Sequence, residues 1–288
     1  MTNPINNPHW QELIEAIQKM TLMDDIFFNS FMDNNVVAME YILNIILART
    51  DLKVLQVQAQ HGVPNLYGRS VRFDVFATDQ YGREYNFEVQ NANSGADPKR
   101  ARYNSDMLDL RKLKAGDDFA QLPETYVIFI TSNDILGYKL PIYHIERCIM
   151  EVGKKFNDSA HIIYVNGENT DDTPLGRLMR DFKQPDASKM SSKLLSDRMK
   201  YLKSTDEEVT KMCNIVEEYT AKRYAEGIQL GERRGEIRGE RKGIRKGEQK
   251  TLLNSIKTLM QTMHFSATEA MDALRVDEAK RSQYRALL

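Results

Sequence analysis

Two acidic residues, Asp74 and Glu88, lie inside short stretches that alternate apolar and polar residues. The stretch VRFDVFATDQYGREYNFEVQ, residues 71–90, predicts two antiparallel strands joined by a turn centred on Tyr81. In that register Asp74 faces Glu88, and like charges directly opposite each other destabilise a sheet. A bound cation would remove this repulsion, so the spacing of the two acids indicates a divalent-metal site.

The register of the predicted hairpin follows from matching its apolar and polar faces. The predicted pairs are Phe73–Val89 and Val75–Phe87 on the apolar face, and Arg72–Gln90, Asp74–Glu88 and Phe76–Asn86 on the other. The two carboxylates and the backbone carbonyl of Val89 form a set of hard oxygen ligands, which Mg²⁺ prefers. The alternative is a solvent-exposed polar face on which the acids pair with Arg72 and Arg83.

The elements around this hairpin predict an α/β core in which helices flank a mixed sheet. The predicted elements are a helix at 24–49, a strand at 54–60, the hairpin, a helix from the N-cap Asp97 to Gly116, strands at 125–132, 142–150 and 161–167, and a helix from Thr173. This core would occupy residues 1–204.

The composition changes after Ser204, and glycine recurs at every fourth position from Gly227 to Gly247. This segment, residues 205–250, is too charged to span a membrane. Two main interpretations remain open: a flexible tether, or a helix that packs closely against a second copy of the chain. Direct nucleic-acid binding by the segment is a third.

The last segment, residues 251–288, predicts a small helical tail that serves protein contacts. Ser266 and Glu269 have the spacing of a capping box, so a helix is expected to begin there. A second short helix is expected from Asp277.

Overall composition limits the partners of this chain. Its 288 residues include 40 basic and 41 acidic ones, so any nucleic-acid contact must come from a local basic patch. The two cysteines are far apart in the sequence, which is typical of a reducing compartment. Neither a signal peptide nor a membrane-spanning run is visible. We therefore expect a cytoplasmic protein without membrane partners.

The order of the motifs is similar to that of a known family. Asp74, thirteen intervening residues and then Glu88-Val89-Gln90 after a hairpin resemble the PD-(D/E)XK nuclease signature. The stretch RFDVFATDQYGREYNFEVQ resembles the Rpn family of recombination-promoting nucleases and putative transposases. The stretches MDDIFFNSFMDN, VVAMEYILNIIL, RARY and TYVIFIT follow in the family's order, as does the glycine-periodic tail. The resemblance implies a restriction-endonuclease-like fold with a helical C-terminal extension.

The same resemblance implies a metal-dependent DNA endonuclease that acts in recombination or on mobile elements. Asp74 and Glu88, with the backbone carbonyl of Val89, would hold Mg²⁺, with Mn²⁺ as an alternative. Gln90 stands where lysine is usual, so it can orient water by hydrogen bonds but brings no charge. Glu40 would be the acid that many of these nucleases supply from an upstream helix.

DNA is the implied substrate, and a basic helix would contact it. The residues expected to bind it are Arg72, Lys99, Arg100, Arg102 and Tyr103. A homodimer formed through the C-terminal helical region would allow both strands to be cut. Because Gln90 replaces lysine, a second hypothesis stays open: a catalytically weak nuclease-like module that binds DNA or a protein partner through its helical tail.

Overall fold

A computed structural model describes residues 8–63, 70–91 and 95–288 of the chain. The chain divides into two compact units, Met1–Tyr219 and Thr220–Leu288. In the described part of the first unit, a mixed six-stranded sheet is flanked by helices on both faces, whereas the described second unit is helical. The predicted α/β architecture with a helical C-terminal extension is confirmed.

The bounds of the described elements are as follows. The helices are α1 (Pro8–Lys19), α2 (Asp25–Met32), α3 (Val36–Ile46), α4 (Pro98–Leu110), α5 (Pro174–Lys183), α6 (Lys193–Ser204), α7 (Asp206–Thr262), α8 (Ala267–Ala273) and α9 (Glu278–Arg285). The strands are β1 (Val54–Val63), β2 (Val71–Asp79), β3 (Glu84–Gln90), β4 (Thr125–Thr131), β5 (Ile142–Ile145), β6 (Cys148–Ile149), β7 (Lys154–Lys155) and β8 (Ala160–Asn166).

The main sheet has the strand order β1-β2-β3-β4-β8-β5. Strands β1, β2 and β3 are antiparallel neighbours, β3, β4 and β8 are parallel, and β5 runs antiparallel to β8. The stretch 142–150, predicted as one strand, is instead divided between β5 and β6. Strand β6 leaves the main sheet and pairs with β7 in a small separate hairpin.

Each face of the sheet is buried by a different set of helices. One face, which includes Val75 and Phe87, packs in a large apolar cluster with α1, α2, α3, α5 and α6. The other face, which includes Phe76 and Phe129, packs against α4 in a smaller cluster. Side chains that alternate along β2 and β3 therefore lie in different layers.

The hairpin register is confirmed for the pairs Val75–Phe87 and Phe76–Asn86. The expectation that Asp74 and Glu88 form the next pair is wrong, because the β2–β3 ladder runs only from Val75–Phe87 to Thr78–Glu84. Beyond its end, the carboxylate of Asp74 accepts a hydrogen bond from the backbone N–H of Val89 at 3.2 Å. A side chain thus replaces a strand-to-strand hydrogen bond.

The predicted alternation of faces also changes at this point of β2. Phe73, expected to share a face with Val75, packs in the α4 cluster with Phe76. Opposite Asp74 in β1 lies Gln60, between the pairs Ala59–Val75 and His61–Phe73, and its φ is +52°. This unusual backbone conformation coincides with the change of face.

The start of α4 is confirmed, but two other predicted helix boundaries are not. Asp97 caps α4 by accepting a hydrogen bond from Lys99 N, and Pro98 occupies the first turn, as expected. However, α4 ends at Leu110 and not at Gly116. The single helix expected at 24–49 is two helices, because Asn35 caps α3 by accepting a hydrogen bond from Ala38 N.

The described part of the second unit contains the remainder of α7 followed by α8 and α9. The glycine-periodic segment lies entirely within α7, so it is helical. The capping box of Ser266 and Glu269 is confirmed, and Asp277 caps α9. A small apolar cluster that includes Ile256, Met271 and Tyr284 holds this unit together. No helix in the described part of the chain is long and apolar enough to cross a bilayer.

Candidate active site

Asp74 of β2 and Glu88 of β3 form an acidic pair just beyond the end of the hairpin ladder. The Glu88 side chain is fully buried, and Asp74 is half-buried at the residue level. A solvent-exposed polar face is therefore excluded for Glu88. Arg83, the proposed partner on such a face, instead pairs with Glu124 at 2.6 Å.

The Asp74 carboxylate accepts a hydrogen bond from the backbone of β3 and lies near both positively and negatively charged side chains. Burial raises the pKa of Asp74 to about 6, whereas the N–H of Val89 and the charge of Arg100 lower it. The charge of Asp25 raises the pKa of Asp74 further, and that of Arg72 lowers it. Asp74 is therefore a carboxylate whose ionised form is disfavoured by its surroundings.

Two side chains of α4 bind the carboxylate of Glu88. Arg100 forms an ion pair with Glu88 Oε2, and Asn104 Nδ2 donates to Oε1 at 3.2 Å. Burial raises the pKa of Glu88 to about 8, and the negative charge of Asp74 raises it as well, while Arg100 opposes this shift. The two acids therefore act on each other, as expected for carboxylates that share one site.

Gln90 ends β3 two residues beyond Glu88, and a glycine makes room for its side chain. A Cβ added to Gly95 would lie 1.6 Å from Gln90 Oε1. The carbonyl of Gly95 also accepts a hydrogen bond from Arg100 Nη1 at 2.7 Å. Gly95 thus links Gln90 to the arginine that pairs with Glu88. Between the two β3 side chains, Val89 pairs with Ile130 of β4.

The structure does not bring Glu40 to the acidic pair. Its carboxylate binds Lys53 Nζ at 2.7 Å and the N–H of Val54 at 3.2 Å. Val54 is paired with Asp79, which is five residues from Asp74 along β2, or about 17 Å. The expectation that Glu40 contributes to the site fails, because these partners hold it at the far end of the strand.

The upstream acid that the structure does place near the pair is Asp25. It is the first residue of α2, and its charge raises the pKa of Asp74. Its carboxylate accepts hydrogen bonds from its own helix, at Ile26 N, and from the hydroxyl of Tyr219. In the sequence Asp25 looks like part of a helix start, and only the packing of α2 on the sheet distinguishes it from Glu40.

The basic residues expected to contact DNA differ in their exposure to solvent. Arg100 faces into the site, whereas Arg72, Lys99 and Arg102 are exposed. Tyr103 packs against the apolar cluster beneath α4. The structure therefore brings together Asp74, Glu88 and Arg100, and leaves three cations at the surface.

The donor set of the acidic pair fits a divalent cation. Asp74 and Glu88 supply hard carboxylate oxygens from neighbouring strands, burial raises the pKa of both carboxyl groups, and the charge of Asp74 raises the pKa of Glu88 further. Mg²⁺ is commonly bound by one or two carboxylates together with water and phosphate. Each Glu88 oxygen accepts a hydrogen bond but has further lone pairs. Within the described residues, no group of three or more His, Cys, Asp and Glu side chains converges.

Comparison with known proteins assigns the chain to a family. Residues 32–226, more than half of the chain, match the family model described as "PD-(D/E)XK nuclease family transposase". The match includes both acids, and it supports a nuclease-like function associated with mobile elements. No match was found among curated proteins or among solved structures. The family suggested by the motifs is thus confirmed, together with its restriction-endonuclease-like fold: the chain belongs to the PD-(D/E)XK nuclease family transposases.

Proposed function

We propose that the protein is a metal-dependent endonuclease that hydrolyses phosphodiester bonds in DNA, in recombination or in the movement of mobile elements. The observation that carries this proposal is the pair of the half-buried Asp74 and the buried Glu88, whose carboxyl pKa values are both raised. Arg100 offsets one of the two negative charges, and holding the second one beside it without a metal ion is costly. The family match supports the same reaction class.

Asp74, Glu88 and the backbone carbonyl of Val89 would hold Mg²⁺, or Mn²⁺ in its place. The chemistry supplied by the bound ion is polarisation of the scissile phosphate and a lower pKa for an attacking water. The N–H of Val89 orients Asp74, and Asn104 orients Glu88. These hydrogen bonds fix both carboxylates before substrate arrives, which favours binding of the metal.

Arg100 supplies the positive charge that Gln90 lacks. A lysine at position 90 would place a cation beside the reacting phosphate, whereas the Gln90 carboxamide can only donate or accept hydrogen bonds. The Arg100 guanidinium already lies against Glu88 and Gly95. In this proposal, Gln90 orients the water and Arg100 stabilises the charge that develops on the phosphate. Asp25 adds negative charge on the α2 side of Asp74.

The exposed cations next to the pair would contact the DNA backbone. Arg72 lies two residues before Asp74 in β2, and Lys99 and Arg102 flank Arg100 on α4. Contacts of this kind are independent of sequence and weaken as salt concentration rises.

Two copies would associate through the C-terminal helical region. Leu230, Ile237 and Ile244 are exposed on α7 and recur at intervals of seven residues, which is the spacing of a seam between paired helices. Truncation after residue 225 is expected to convert a dimer into a monomer in light scattering. If light scattering gave the same oligomeric state for the full chain and the truncated one, this part of the proposal would be refuted.

The proposed reaction is tested by incubating supercoiled plasmid with the purified protein in Mg²⁺ or in EDTA. We expect nicking only with Mg²⁺, and a loss of about 100-fold or more in Asp74→Asn and Glu88→Gln, because the metal contributes several kcal/mol to the transition state. Asp197→Asn, which removes an exposed acid on α6, is the matched control and should cut normally. Equal cutting by wild type and Asp74→Asn would refute the mechanism.

A further inference from the structure

A groove of about 380 Å³ lies on the α4 side of the sheet, on the same face of β3 as Glu88. Its chemically active lining residues come from β1, β3 and the end of α4, and they are Gln56, Gln58, His61, Glu84, Arg111 and Lys112. Glu84 lies four residues before Glu88 on β3, or about 13 Å away along the strand. The acidic pair uses none of these side chains.

The sheet register makes the groove floor continuous across three strands. Gln56 of β1 pairs with Thr78 of β2, which pairs in turn with Glu84 of β3. Because directly paired residues point to the same face, these three side chains form one polar row. Gln56 and Gln58 are exposed, and β1 is the edge strand, so the row begins at the solvent-facing edge of the sheet.

The groove carries an excess of positive charge. Arg111 Nη2 donates to Glu84 Oε2 at 2.7 Å, and Lys112 pairs with the other oxygen of the same carboxylate. Glu84 is buried, while the Lys112 side chain is 36% exposed. Two cations against one carboxylate leave one net positive charge, and the exposed ammonium retains hydrogen bonds to offer.

His61 is neutral and orients the side-chain amide of Gln58. Arg111 Nη1 lies 2.6 Å from His61 Nε2, and because arginine has only donors, Nε2 must be the acceptor. The ring proton is then on Nδ1, which donates to Gln58 Oε1 at 2.7 Å. Burial and the charge of Arg111 lower the pKa of His61, in agreement with a neutral ring. With its oxygen engaged, Gln58 presents its amide N–H groups.

We infer that this groove is a subsite for a second phosphodiester of the DNA substrate, apart from the reacting one. Lys112 and Gln58 present donors, and the Glu84 carboxylate is already neutralised by Arg111 and Lys112. Phosphate oxygens only accept hydrogen bonds. Arg111 Nε is itself buried and has no hydrogen-bond partner among the residues that the structure describes. The inference rests on the proposed function for the nature of the ligand.

The spacing suits a strand that passes the acidic pair. A separation of about 13 Å corresponds to roughly four phosphates along the axis of one DNA strand. A contact at this distance would fix the register of the backbone relative to Asp74 and Glu88 without reading any base.

The experiment is DNA binding in EDTA, so that nothing is cut, measured by fluorescence anisotropy of a labelled duplex across a salt series. Lys112→Gln leaves Arg111 to pair with Glu84, and it should weaken binding several-fold and reduce the salt slope by about one. Gln58→Glu adds a negative charge at the rim without removing a partner of Glu84, and it should also weaken binding several-fold. Gln11→Glu, on the exposed side of α1 and against the other sheet face, should bind as wild type.

Unchanged affinity and slope in both groove variants, with their thermal unfolding equal to that of wild type, would overturn the inference. It would also be overturned if inorganic phosphate bound in a Lys112-dependent way while DNA binding did not change, since the ligand would then be free phosphate. An acidic peptide that needs Lys112, again with normal DNA binding, would count against it equally. DNA binding is measured without metal, so it is independent of cutting. If the groove variants weaken DNA binding but the protein never nicks plasmid in Mg²⁺, the proposed function is refuted and the subsite is not.

Discussion

At the scale of single residues, the site is defined by the cost of holding two carboxyl groups together. Asp74 and Glu88 have raised pKa values because burial and mutual repulsion disfavour their ionised forms. Arg100, Asn104 and the N–H of Val89 reduce this cost and fix the oxygens. In the proposed function, these residues would form a prepared set of metal ligands at a cost to the stability of the metal-free protein.

The same repulsion predicts how stability depends on pH without metal. The ordinary pKa values of 3.8 and 4.5 apply to the unfolded chain, whereas the folded values are about 6 and about 8. Between pH 4 and 8 the folded protein binds more protons, so its free energy of unfolding falls as the pH rises. Glu88→Gln removes part of this cost and should raise the free energy of unfolding at pH 8 by about 1 kcal/mol, with less gain at pH 5. Urea unfolding in EDTA at both pH values measures the difference.

Glu84→Gln is the matched control for that substitution. Glu84 lies on the same strand and face, but two cations hold its carboxylate. Removing its charge should destabilise the protein by about 1–3 kcal/mol. If Glu88→Gln were as destabilising as Glu84→Gln at pH 8, burial and repulsion would not outweigh the attraction of Arg100 at the acidic pair.

Gly95 provides a test of how Gln90 is positioned. The added Cβ of Gly95→Ala would overlap Gln90 Oε1, so the carboxamide must move, and we expect plasmid nicking to fall about tenfold. In a Gln90→Ala background the same change should have little further effect, because the displaced group is absent. Gly62→Ala, where an added Cβ meets nothing within 4 Å, serves as the control. Additive losses in the double variant would show that Gly95 acts in another way.

At the scale of elements, several features that depend on neighbours in the chain were predictable, although the local Asn35 cap that divides the helix expected at 24–49 was missed. The Val75–Phe87 register, the Asp97 cap and the Ser266 capping box are all local signals, and each is confirmed. The end of α4 was not predictable, because it depends on long-range contacts. The helix ends just before Arg111, whose side chain binds Glu84 of β3 and His61 of β1. Gly116, which looked like the natural stop, lies beyond this point.

The site itself was only partly predictable, for the same reason. The proximity of Asp74 and Glu88 followed from a hairpin of short range, although the two residues do not form a pair in the β2–β3 ladder. Which upstream acid approaches the pair depends on how α2 and α3 pack on the sheet, and the ion pair of Glu40 with Lys53 is not visible from the spacing of residues in the sequence. Long-range packing, which residue spacing does not reveal, thus determines which upstream acid lies near Asp74.

The long helix α7 raises a prediction at this scale. Its six glycines, Gly227 to Gly247, would each accept a Cβ into open space within the described chain. Replacing Gly231, Gly235 and Gly239 by alanine should stabilise the helix by about 1 kcal/mol per site, so amide hydrogen exchange across this segment should slow. A matched set of Gln229→Ala and Arg233→Ala, which add no backbone restriction, should change exchange little. Faster exchange in the glycine variant, accompanied by loss of dimer, would indicate that the glycines are a close-packing surface.

At the scale of the first unit, one buried lysine joins segments that are distant in sequence. Lys203 Nζ donates to the carbonyls of Gln18, Met20 and Pro185 at 2.6–2.9 Å. Lys203→Met would leave three carbonyls without this donor, and we expect a loss of about 2–4 kcal/mol in the free energy of unfolding. Lys200→Met, on the exposed side of the same helix, should change it by less than about 0.5 kcal/mol. A small effect of Lys203→Met in urea unfolding would mean that apolar packing alone joins these segments.

At the scale of the whole molecule, the central claim is that carboxylates from β2 and β3 bind one divalent ion and so make a helix-flanked sheet a nuclease. Anomalous scattering from crystals grown with Mn²⁺ and a DNA duplex tests this claim most directly. We expect one strong peak with oxygens of Asp74 and Glu88 at about 2.1 Å, and its loss in Asp74→Asn. A peak bound elsewhere, or no peak at the pair when DNA is present, would contradict it.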